Sequence, residues 1–195
     1  MTKQRWDLER VRPTAILPDT SPPVHLAAAD ALSILNGFGR VVVVDVVMLE
    51  ATHDQSKPYA PEIAAWIAEG GKPGNNSPVE IIRSELGLLY RLALDQGMKP
   101  PRNAREIGIT EWLVDQLHHV GGPALVVYEN GRVPRMLVRE GLTEAVSVVT
   151  TRNLLELAER EGLIPNADDV WAQLIQRAPT ANPASVQTTI NPVKP

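Results

Sequence analysis

Two unbroken apolar runs, Val41-Val42-Val43-Val44 and Ala124-Leu125-Val126-Val127-Tyr128, and a mixed β-branched run, Val146-Ser147-Val148-Val149-Thr150, dominate the hydrophobic pattern. Continuous rather than alternating apolar residues predict strands buried on both faces of a parallel sheet. Around them, apolar positions recur every three or four residues. This spacing predicts helices over residues 25–35, 61–69, 77–92, 103–119, 153–161 and 167–177. Pro61 stands at a first helical position. Ser77-Pro78-Val79-Glu80 joins a cap residue, a first-position proline and a glutamate three residues after the cap. Asn36-Gly37 and Gly121-Gly122-Pro123 are stops, and residues 70–76 are a loop. Strands alternating with helices predict a three-layer α/β/α fold with a mostly parallel central sheet. Pro13, Pro18, Pro22 and Pro23 make residues 1–24 an extended N-terminal arm. Residues 25–178 form one domain, and 179–195, rich in Pro, Thr, Asn and Ala, form a disordered tail.

Composition narrows the function. The 195 residues suffice for one substantial core, and 44% hydrophobic residues fit a globular chain. The absence of cysteine excludes disulfides, thiolate zinc sites and a cysteine nucleophile. Charged residues at the start and the lack of any bilayer-length apolar run predict a cytoplasmic protein with no membrane partner. A net charge of -4 argues against binding nucleic acid by bulk electrostatics, though not against a local basic patch. Aromatic residues at 4% disfavour a base-stacking surface. No His-Glu-x-x-His, dinucleotide or phosphate-loop motif occurs. His118 and His119 are adjacent and diverge on a helix. His53 alone falls near a strand end. Trp66, Trp112 and Trp171 read as core or interface residues.

The acids carry the candidate chemistry. Within a helix over 77–92, Glu85 has Ile81, Ile82, Leu88 and Leu89 as face neighbours, where an unpaired carboxylate is costly. Asp45 and Glu129 each close a strand, and ligand sites in parallel sheets lie beyond such carboxyl ends. Glu106 opens the helix from 103. Together these four would make an oxygen-rich site suited to Mg²⁺ or Mn²⁺. Each also has an ordinary reading: Glu106 as the partner of an Asn103 cap, Glu129 as a turn residue, Asp45 as a helix cap, Glu85 as an arginine partner. Glu50 and Asp54 read as extra ligands or, more simply, as solvent-facing charges.

The order of these elements resembles the PIN-domain nucleases over about residues 40 to 165. Val42-Val43-Val44-Asp45 corresponds to the family's first strand and acid, and Ile82-Arg83-Ser84-Glu85-Leu86 to its helix-borne glutamate. Ala104-Arg105-Glu106 corresponds to the third acid, and Val126-Val127-Tyr128-Glu129 to the strand and fourth acid. Val148 to Leu155 looks like the final strand and terminal helix. Two departures stand out. Val46 and Val47 follow Asp45 where many members have a small polar residue and then asparagine or serine, and glutamates fill the third and fourth positions, which are commonly aspartates. The resemblance implies metal-dependent hydrolysis of RNA, with Asp45, Glu85, Glu106 and Glu129 both catalytic and metal-holding. It implies Thr150 and Thr151 as phosphate or water contacts, and Arg132, Arg135, Arg139 and Arg152 as backbone contacts. It suggests a toxin with an antitoxin or other protein partner, and a homodimer with Trp112 at its interface. The competing expectation is a catalytically silent PIN-like interaction module. A response-regulator-like domain with Asp45 as phosphoacceptor ranks lower, because residues 1–40 offer no strand ending in paired acids.

Overall fold

The computed structural model describes residues 13–70, 79–119, 123–129, 131–143 and 145–178. The expected tail (179–195), most of the expected arm (residues 1–12) and the Ser77-Pro78 helix start lie outside them. Five strands form one all-parallel sheet in the order β3-β2-β1-β4-β5: β1 (Ala15–Pro18), β2 (Val41–Val44), β3 (Val79–Ile82), β4 (Ala124–Tyr128) and β5 (Val146–Thr150). Helices flank it: α1 (Ser21–Ala28), α2 (Ser33–Gly37), α3 (Asp45–Thr52), α4 (Ala60–Gly70), α5 (Glu85–Asp95), α6 (Ala104–His119), α7 (Arg132–Arg139), α8 (Thr151–Arg160) and α9 (Ala167–Arg177). Helices α1, α8 and α9 contact one another, as do α3, α5 and α6, with α7 on α6 and α4 touching both α1 and α3. The α/β/α layering expected from the alternating pattern is therefore the observed one. Among the described residues, no helix is long and apolar enough to cross a membrane.

The N-terminal arm is a correction. Residues 15–18 are the central strand of the sheet, with Ile16 and Leu17 wholly buried. Their register with β4 runs from Ala15↔Ala124 to Pro18↔Val127. Pro18 is tolerated for a geometric reason. Ile16 donates its N–H to Arg40, on the β2 side, and Asp19 donates to Val127, on the β4 side. Alternation puts the missing Pro18 donor on the β2 side, where the β1–β2 register reaches only Ile16↔Val41. An arm would tolerate truncation, but a central strand does not. Ile16→Ala is expected to lower unfolding free energy by about 2–5 kcal/mol in a urea titration.

Two expected helices also change. The described part of this span, residues 79–92, divides into strand β3 and helix α5, with Ser84 between them capping α5 through Gly87 N–H→Oγ at 2.8 Å. Ile81 and Ile82 are strand residues in register with Val43 and Val44, so the apolar stripe around Glu85 does not form. The 25–35 span is two helices, parted near Asp30, whose φ is 54°. Trp112, expected at an interface, is 7% exposed and belongs to the core. Among the described residues, the large apolar side chains left in water are instead Ile81 on β3, Leu88, Leu89 and Leu92 on α5, and Met98 just beyond it, with Val138 and Leu163 elsewhere.

Candidate functional site

The sheet's switch point lies at β1. From there the chain steps outward through β2 to β3, then resumes on the other side with β4 and β5. In open parallel sheets the crevice beyond the carboxyl ends at such a point is the usual ligand site. Asp19 follows β1 directly, and Glu129 follows β4. Helix α3 leaves β2 and carries Glu50, and the first turn of α6 supplies Arg105 and Glu106.

Asp19, Glu50 and Glu106 converge on one guanidinium. Arg105 Nε lies 2.8 Å from Glu50 Oε2, Nη1 3.8 Å from Asp19 Oδ1, and Nη2 3.7 Å from Glu106 Oε1. Glu50 Oε2 also accepts the Thr20 hydroxyl at 3.2 Å. Asp19 is wholly buried and Glu106 is 1% exposed. Both carboxylate oxygens of Glu106 are buried and make no hydrogen bond, which removes the reading of Glu106 as half of an Asn103 cap. Arg132 Nη1 approaches Glu106 at 4.0 Å from a largely exposed position. Burial pushes the Asp19 carboxyl above its usual range. Arg105 and the Thr20 N–H oppose that shift, while Glu106 and Glu50 reinforce it. Tyr90 on α5 faces the same group: burial and Glu50 raise its pKa, and Arg105 opposes them.

Glu129 follows β4, the strand paired with β1. Its Oε1 lies 3.4 Å from His25 Nδ1 and accepts the Thr151 N–H at 3.3 Å, at the N-terminus of α8.

Of the four acids singled out from sequence, Glu106 and Glu129 are at this crevice and the other two are engaged elsewhere or exposed. Asp45 is 4% exposed, and its carboxylate accepts the Ser84 N–H at 2.9 Å and the Ser84 hydroxyl at 2.8 Å. It staples the start of α3 to the start of α5. Glu85 is exposed on the first turn of α5. Thr150 caps α8 by accepting the Asn153 N–H, and Thr151 is wholly buried, its hydroxyl oxygen without a hydrogen-bond partner. Arg152 pairs with Glu156 and Asp168 and lies over the Trp171 ring at 5.8 Å. Arg135 and Arg139 are exposed, and Arg139 pairs with Glu140. Asp19, Thr20, His25, Glu50, Tyr90 and Arg105 are the residues sequence reasoning missed or ranked low. One signal was present: Asp19-Thr20-Ser21, an acid after a short apolar run, followed by small hydroxyl residues.

The donor set is all carboxylate oxygen, the chemistry that a hard divalent cation takes. When Asp19, Glu50 and Glu106 are ionised, they face two guanidiniums, Arg105 and Arg132, which leaves one negative charge. Glu106 holds two buried oxygens without hydrogen bonds. Among the described residues, however, no three acids or histidines stand grouped closely enough to ligate one ion. The Arg105 guanidinium stands among three of them. The fold and site thus define an α/β/α protein with a buried carboxylate cluster at the sheet's switch point. Comparison with protein-family models, with curated proteins and with solved structures finds no match for this chain.

Proposed function

We propose that this chain is a PIN-like, divalent-metal-dependent endoribonuclease whose centre is Asp19, Glu50, Glu106 and Glu129. One observation carries the reading: Asp19, Glu50 and Glu106, from three separate elements, converge on a single cation beyond the carboxyl end of the central strand. The family pattern named above is met better by these four than by the set first read from sequence. Asp19 closes a strand and is followed by Thr20 and Ser21, small polar residues in place of Val46 and Val47. Glu50 is the helix-borne glutamate, Glu106 opens a helix, and Glu129 follows a strand.

In this reading Asp19, Glu50 and Glu106 hold Mg²⁺ or Mn²⁺, and Glu129 completes the ring, oriented by the Thr151 N–H and His25. The ion supplies a water of lowered pKa and stabilises charge on the phosphoryl oxygens. Thr20 orients Glu50 through its hydroxyl. Arg132, exposed and 4.0 Å from Glu106, would contact a phosphate in this reading. The test is cleavage of single-stranded RNA in Mn²⁺ and in EDTA. Glu106→Gln is expected to lower the Mn²⁺-dependent rate by at least about a hundredfold. Cleavage indifferent to EDTA and to Glu106→Gln would sink the proposal.

Arg105 favours a second reading. A guanidinium permanently seated among the acids would make the domain a silent interaction module. In that case purified protein cleaves no RNA in any divalent ion.

A further inference from the structure

Arg105 meets its acids in an uneven way. Three nitrogens face three different carboxylates, but only Nε–Glu50, at 2.8 Å, is at hydrogen-bond distance. The approaches to Asp19 and Glu106 are 3.8 and 3.7 Å. A guanidinium that pairs with a single carboxylate frequently makes two parallel short bonds to it. Here the rigid fork spans three acids and leaves both Glu106 oxygens without a hydrogen bond, in a side chain with no exposure. A small hard cation draws oxygens in to about 2.0–2.1 Å, which a planar fork cannot do. The Arg105 side chain is 21% exposed and sits in the first turn of α6, so it has a way out to solvent without unfolding its helix.

We propose that Arg105 is a built-in competitor for the metal. Its guanidinium and a divalent cation exclude each other at Asp19, Glu50 and Glu106, and the position of Arg105 sets the affinity for the ion. This rests on the metal-binding part of the nuclease reading. Without metal, Arg105 neutralises carboxylates that would otherwise lie buried and mutually repelling. When an ion binds, like-charge repulsion drives the guanidinium out. The apparent affinity is then lowered by the fraction of molecules in which Arg105 occupies the site.

The experiment is calorimetric titration of Mn²⁺ into the full chain, with melting measured in EDTA and in Mn²⁺. The variants are Arg105→Met, which keeps the apolar stem, and Arg105→Gln, which keeps a hydrogen-bond donor for Glu50. Both are expected to bind Mn²⁺ at least tenfold more tightly than wild type. Both should melt lower in EDTA and show a larger rise with metal. Adding Asp19→Asn should remove the gained affinity. Should wild type bind Mn²⁺ and both variants bind it equally or less well, Arg105 is a supporting residue; the competitor idea fails and the metal reading stands. Binding by the variants alone supports the competitor and makes wild type the silent form. Folded variants and wild type that all ignore Mn²⁺ overturn both readings. If Arg105→Met does not fold, Arg105→Gln decides on the same criteria.

Discussion

Asp19→Asn is expected to reduce Mn²⁺ affinity and RNA cleavage by at least about a hundredfold, and to stabilise the metal-free protein at neutral pH. The two effects share one cause. Asp19 is wholly buried at the end of the central strand, and burial holds its carboxyl above the ordinary value of 3.8. The folded state therefore keeps this proton to higher pH than the unfolded chain does. The stability it contributes is full below the unfolded value and is lost as pH rises through the raised one. At neutral pH the ionised carboxylate opposes folding, and a metal ion is what would compensate it. Asparagine keeps the shape and removes the charge. In EDTA the denaturation midpoint of Asp19→Asn should exceed that of wild type at pH 8, and the difference should shrink toward pH 4. A variant less stable than wild type at pH 8 would mean that the carboxylate is a net structural asset, tied to Arg105 rather than awaiting an ion.

Gly87→Ala should destabilise the protein by about 3 kcal/mol, although alanine is the better helix former. An added Cβ at Gly87 would sit 1.9 Å from Asp45 Oδ2, 2.1 Å from its Cγ and 2.2 Å from Oδ1. Asp45 cannot yield cheaply, because both its oxygens accept hydrogen bonds from Ser84 and it is buried. The Ser84 hydroxyl in turn accepts the Gly87 N–H, so the cap, the staple and the glycine form one unit. In an Asp45→Ala background the same substitution should cost far less. Urea unfolding of the four proteins gives the coupling energy, and additive effects would show that the contact is slack. Gly87→Ala should leave Mn²⁺ binding per folded molecule unchanged, which separates the staple from the carboxylate cluster.

The contrast between Asp45 and Asp19 marks how far the sequence reaches. Both acids follow a short buried strand, and they differ locally only in what comes next, Thr20-Ser21 after Asp19 and Val46-Val47 after Asp45. The valine runs of β2 and β4, and the mixed run of β5, were legible because consecutive apolar residues suit strands covered on both sides. Helices α4, α6, α8 and α9 were legible from their spacing and stops, as were Glu106 at a helix start and Glu129 at a strand end. Together these determined the α/β layering and two of the four acids. Strand β1 was not legible. Four residues between prolines carry too little periodicity, and only pairing with the distant β4 makes them central. Helix α5 was misread because Ile81, Ile82, Glu85, Leu88 and Leu89 imitate a helical stripe until β3 pairs with β2. The tertiary structure alone sent Ser84 to Asp45, 39 residues away, and brought Arg105, Glu50 and Glu106 around Asp19. Secondary structure follows from neighbours along the chain. A carboxylate's role follows from the charges and donors that packing brings to it, and those come from remote segments.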